Sequence, residues 1–129
     1  MAEDIGNVLD LTRDLTAAVR MGASAAEVDE LLGEAVETLA RSEQTFDLIF
    51  NDIDKQAYPD SLPVIEGKLR PGGVLIVDNA LWHGRVFDRN DTSEATRGVV
   101  ELTQALADDP KWITSIVPIR DGLLVALKK

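Results

Sequence analysis

Two short runs rich in β-branched and aromatic residues, FDLIF (Phe46–Phe50) and VLIV (Val74–Val77), constrain this chain most, because a Pro- and Gly-punctuated stretch of helical length lies between them. Strand, helix, strand in that order is a βαβ unit, whose crossover makes the two strands parallel neighbours with their C-terminal ends on the same sheet edge. Open α/β sheets bind their ligands at that edge. Asp52, Asp54 and Lys55 follow the first run, and Asp78 and Asn79 follow the second. Three carboxylates, an amide oxygen and an ammonium are therefore expected to share one small volume. Carboxylate and amide oxygens without His or Cys are the ligand set of a hard cation such as Mg²⁺ or Ca²⁺. Taken singly, a carboxylate after a strand is better explained as the cap of the next turn. Lys55 alone would be a surface lysine, or a counter-charge to its acidic neighbours.

Residues 1–45 read as a helical hairpin. Ile5, Val8, Leu9, Leu15, Ala18 and Val19 fall near 3.6-residue spacing, with Gly22 as a C-terminal stop. Ser24 and Glu27 form a capping box ahead of the stripe Val28, Leu31, Leu32, Ala35, Val36 and Leu39. The periodicity changes at Thr45 and Phe46, and most of the surplus acid lies before that point. Beyond it, Pro59 opens a short helix bearing Leu62, Ile65 and Leu69, and Arg70 to Gly73 make a tight turn into Val74–Val77. Asp91 and Glu94 cap a helix bearing Ala95, Val99, Leu102 and Leu106. Trp112–Ile119 and Leu123–Leu127 alternate as a hairpin around Arg120, Asp121 and Gly122. The expected order is ααβαβαββ in a single domain over 1–129, divided into the hairpin segment 1–45 and an α/β part 46–129.

Composition removes several classes of function. With no cysteine, disulfides, thiolate catalysis and Cys-based metal sites are excluded, and one His rules out a His-rich centre. A net charge of -10 without a basic stripe argues against nucleic acid. No run approaches the ~20 apolar residues of a membrane span, and the start MAED is unlike a secretion signal, so a cytoplasmic location is expected.

Read in full, FDLIFNDIDKQAYPDSL, LRPGGVLIVDNALWHGRV and VPIRDGLLVALKK resemble the C-terminal half of the cation-dependent, S-adenosylmethionine-dependent O-methyltransferases, the catechol and caffeoyl-CoA group. The resemblance covers 46–129 and rests on DxDK, RPGG, DNxLWHG and DGL in that group's order and spacing. It implies an α/β fold: half of a Rossmann-like methyltransferase sheet, about four strands, mixed, with an antiparallel C-terminal hairpin, here preceded by the helical hairpin. It implies that Asp52, Asp78 and Asn79 are ligands of a divalent cation, Mg²⁺ or Ca²⁺. Lys55 is implied to be the catalytic group that deprotonates or orients an acceptor hydroxyl. Asn51 replaces a residue that is usually aliphatic in the group, and Trp82 and His83 belong to the loop near the site.

The donor side departs from the pattern. The group places a Gly-rich loop and an acidic strand end against the cofactor, whereas Gly6, Gly22 and Gly33 are scattered here and no Gly-x-Gly occurs. S-adenosylmethionine is therefore expected not to bind, and the chain is expected to be a truncated or recombined half-domain that transfers no methyl group alone. Its FDLIF strand, central in the family's sheet, would become an open edge and pair two chains into a homodimer through Phe46–Phe50. A weakly bound divalent cation would relieve repulsion between Asp52 and Asp78. Two other functions are weighed beside this self-associating scaffold. One is an active cation-dependent O-methyltransferase on a catechol-like hydroxyl; the other is an interaction module built on the acidic hairpin.

Overall fold

The computed structural model describes residues 8–10 and 36–129. They form one five-stranded mixed sheet in the order β1-β2-β3-β5-β4, with β1 at Val8–Asp10, β2 at Phe46–Asn51, β3 at Leu69–Val77, β4 at Trp112–Val117 and β5 at Leu123–Lys128. Strands β1, β2 and β3 are parallel, and β5 runs antiparallel to both β3 and β4. Between β2 and β3 stand a short 3₁₀ turn, Lys55–Ala57, and helix α1, Tyr58–Lys68. A 3₁₀ segment, Trp82–Phe87, and helix α2, Glu94–Asp108, connect β3 to β4.

The expected βαβ unit and C-terminal hairpin are present. Leu48 to Asn51 pair in register with Val74 to Val77, so Asn51 and Val77 end side by side and Asp52 and Asp78 leave the same edge. Ile49, Leu75, Val77, Leu124 and Ala126 are buried, and Tyr58, Ile65, Val99, Leu102 and Leu106 of the two helices join them in one core. Burial alternates along the central strands: Leu75, Val77, Leu124 and Ala126 face this core, while Val74, Ile76, Leu123 and Val125 on the opposite face are half-buried.

Three expectations are corrected. Val8–Asp10, read as part of a first helix, is a strand that pairs with Leu48, Ile49 and Phe50. An apolar strand with open backbone groups is a strong template for pairing, and tertiary pairing overrides a three-residue match to helical spacing. The same contact removes the premise of an edge dimer: β2 is flanked on both sides by strands of its own chain over Leu48–Phe50. Arg70–Gly73, expected as a turn, lies inside β3 as a register shift, because Phe46 pairs with Leu69 while Leu48 pairs with Val74. Of the second expected helix, residues 36–41 are helical and Leu39 is buried; the rest of the hairpin lies outside the described residues.

Candidate acceptor-side site

The last residue of β2 begins the site. Asn51 is fully buried, donates from Nδ2 to Ser61 Oγ at 3.1 Å, and accepts Asp78 N–H on its carbonyl at 3.1 Å. The strand ends are thereby tied, and the next residues turn out of the sheet together. Lys55 is 7% exposed. Its Nζ donates to Asp52 Oδ1 at 2.8 Å, to the Ile53 carbonyl at 3.1 Å and to the Tyr58 hydroxyl at 2.7 Å. An ammonium has three donors and no acceptor, and here each donor has its own oxygen. Tyr58, with no exposed surface, donates its hydroxyl to the Asp78 carbonyl at 2.9 Å. Burial first, then the charges of Asp52, Asp78 and Asp121, push the Tyr58 hydroxyl far above the ordinary phenol range, so it stays a neutral bridge.

Close packing fixes this turn from behind. A Cβ on Gly98 of α2 would stand 2.1 Å from the Lys55 carbonyl oxygen, so only glycine lets the helix backbone rest against the turn that carries Lys55. Lys55 Nζ also lies 4.6 Å from the Tyr58 ring centre and 5.8 Å from that of Trp82, within cation–π range.

The β3 end meets the β4–β5 turn. Asp78 Oδ1 accepts Asn79 N–H at 2.8 Å, and its Oδ2 accepts Arg120 Nη2 at 3.0 Å. Asn79 Nδ2 donates to Asp121 Oδ2 at 2.8 Å, and His83 N–H donates to Asp121 Oδ1 at 2.7 Å. Backbone bonds from Ala80 to Gly122 and from Leu81 to Asp121 zip the two loops together. Burial opposes ionisation of Asp121, but the hydrogen bonds from Asn79 and His83, with the nearby charges of His83 and Lys55, hold its carboxyl below the usual range. Among the described residues the non-glycine residues with left-handed backbone are Asn79, Trp82, His83 and Arg120. All four sit on these two loops, and such strain clusters where a site is being held in shape.

The structure thus brings together four of the five residues singled out by sequence: Asp52, Lys55, Asp78 and Asn79. Asp54 is exposed and starts the 3₁₀ turn without a side-chain cap, so the expected third carboxylate is Asp121 instead. Tyr58, Arg120 and Asp121 were not foreseen. Arg120 and Asp121 read as hairpin-turn residues, and the only hint was two charges beside an obligatory glycine.

The loop after the site is held separately. Asp91 accepts from Arg85 Nε at 2.7 Å, Ser93 N–H at 3.0 Å and Thr96 Oγ1 at 2.8 Å; the Ser93 hydroxyl first, then Arg85, the Ser93 N–H and Thr96, hold its carboxyl far below the usual range. The residue that caps α2 is Ser93, not Asp91, with Asp91 bracing the cap.

An open α/β sheet with polar and charged residues gathered at the ends of β2 and β3 puts the candidate site at the edge where such sheets bind ligands, and comparison gives the family. The O-methyltransferase family profile matches residues 14–129, and the chain belongs to that family. The match begins well before Phe46, so part of segment 1–45 belongs to the family as well. The chain is 36% identical over 99 residues to a protein of Mycobacterium avium (strain 104) provisionally named an O-methyltransferase, covering 74% of this chain and 44% of that one. The O-methyltransferase TomG of Streptomyces achromogenes, solved with S-adenosylmethionine, superposes with a TM-score of 0.68 at 24% identity, over 95% of this chain and 60% of that one. The Bacillus cereus O-methyltransferase solved with S-adenosylhomocysteine superposes with a TM-score of 0.67 at 24% identity, over 74% and 46%. The chain spans less than half the length of the curated relative. Among the described residues no helix is long and apolar enough to cross a membrane.

Proposed function

We propose that this chain is the acceptor-side portion of an S-adenosylmethionine-dependent O-methyltransferase, able to fold but transferring no methyl group by itself. The observation that carries the reading is the closed network around Lys55. For this side chain to meet an acceptor hydroxyl, one of its three bonds to Asp52, Ile53 and Tyr58 would have to be given up. The donor side is argued from sequence: no Gly-x-Gly is available to bring backbone against a cofactor. Holding both reactants in line supplies most of the acceleration in a transfer of this kind, so half a site predicts no turnover.

The family's divalent cation would fall to Asp52, Asp78 and Asn79, where it would supply Lewis-acid polarisation of a chelated hydroxyl. As arranged, these residues do not fit it. Asp52 accepts the Lys55 ammonium on Oδ1, and Asp78 accepts Asn79 N–H on Oδ1 and the Arg120 guanidinium on Oδ2, so both carboxylates are already neutralised by cations of the chain; Asn79 gives only its Nδ2 to Asp121. What these residues do as they stand is tie β2, β3 and the β4–β5 turn into a rigid, charge-compensated edge. A homodimer through Phe46–Phe50 belongs to the scaffold reading only if β1 is displaced.

The test is methyl transfer from radiolabelled S-adenosylmethionine to a catechol in the presence of Mg²⁺. The expected result is no product above background; turnover would establish the chain as an active O-methyltransferase on a catechol-like hydroxyl.

A further inference from the structure

Arg120 is not among the residues the family resemblance assigns. It sits at φ 52, a left-handed conformation that a long side chain rarely adopts, at the tip of the β4–β5 turn. The turn is anchored on both sides of it. Ile119 N–H and Gly122 N–H bond within the turn, Asp121 is gripped by Asn79 and His83, and Gly122 fits against Leu81 only because it lacks a Cβ. That anchoring delivers the Arg120 guanidinium to Asp78 Oδ2 at 3.0 Å, while Asp78 is itself 8% exposed. The other strand-end carboxylate, Asp52, already carries the Lys55 ammonium.

We propose that Arg120 is the resident counter-ion of Asp78: its guanidinium takes the carboxylate oxygen a divalent cation would need, and so sets the site against metal. The inference rests on the reading of Asp52, Asp78 and Asn79 as the cation's ligand set, and it adds the residue that decides whether that set is available. A divalent ion must displace Arg120 and then tolerate a second positive charge nearby. Because the Arg120 side chain is 69% exposed, water and salt screen the pair, and the effect is that of a surface ion pair and not of a buried one.

The experiment is calorimetric titration of Mn²⁺ alone into the wild-type chain, D78N, R120G, R120Q and R120Q/D78N. R120G relieves the left-handed backbone; R120Q keeps the length and removes the charge. Both single Arg120 variants are expected to bind Mn²⁺ about fivefold more tightly than wild type, and adding D78N should abolish the gain. A wild-type chain that binds through Asp78 with R120Q no tighter would overturn the role of Arg120 while leaving the ligand set standing. No binding in any variant would remove both, and a gain confined to R120G would place the effect in the backbone and overturn the counter-ion. None of these outcomes depends on methyl transfer, so the functional reading stands or falls separately.

Discussion

Tyr58 shows how much one hydroxyl can decide. It accepts from Lys55 and donates to the Asp78 carbonyl, linking the ends of β2 and β3 through a fully buried ring. Y58F would leave one ammonium proton and one carbonyl without that partner, at a cost of about 1–3 kcal/mol in urea unfolding. Because Lys55 and Tyr58 act as a unit, K55M and Y58F should be non-additive in a double-mutant cycle; strict additivity would mean that the bridge contributes nothing. Acid stability belongs to this scale too. Asp91 and Asp121 have carboxyls held below their ordinary value, so the unfolded chain binds protons more readily than the folded one. Their contribution is fully present above about pH 4 and is lost as pH falls towards the lowered folded values. Thermal melts from pH 7 to pH 2 should therefore show a steeper acid loss for wild type than for D91N/D121N. Parallel curves would assign that loss to other carboxylates.

At the scale of elements, packing of α2 on the Lys55 turn is the tightest constraint. A Cβ at Gly98 collides with backbone, not with a movable side chain, so G98A should destabilise by about 1–3 kcal/mol despite the better helix propensity of alanine; a neutral or stabilising result would contradict the close approach. The βαβ unit, α2 and the C-terminal hairpin were legible because their apolar residues repeat at the right periods and are bounded by Pro, Gly and Asp. β1 was not, since Val8, Leu9 and Asp10 suit a strand only when β2 offers an edge. Nor was the bulge in β3, because Pro71, Gly72 and Gly73 signal a turn and a bulged strand equally. Of the site, Asp52, Lys55, Asp78 and Asn79 followed from strand ends and motif spacing. Arg120 and Asp121 arrive there from 42 residues downstream of Asp78 and Asn79, a separation that no local pattern encodes.

For the whole molecule, the sheet's assembly and the proposed lack of a donor pocket matter most. With β1 paired on β2, the 14.0 kDa chain should sediment as a monomer at high micromolar concentration. L9P, which removes a strand donor, should shift it towards a dimer by exposing β2; an unchanged monomer would show that the edge is protected by something other than β1. The most direct test of the account is calorimetric titration of S-adenosylhomocysteine into the 129-residue chain. An acceptor-side portion alone predicts no binding tighter than about 100 μM, while saturable one-to-one binding below that value, roughly -5.5 kcal/mol or stronger, would show that a donor pocket exists and contradict the central claim.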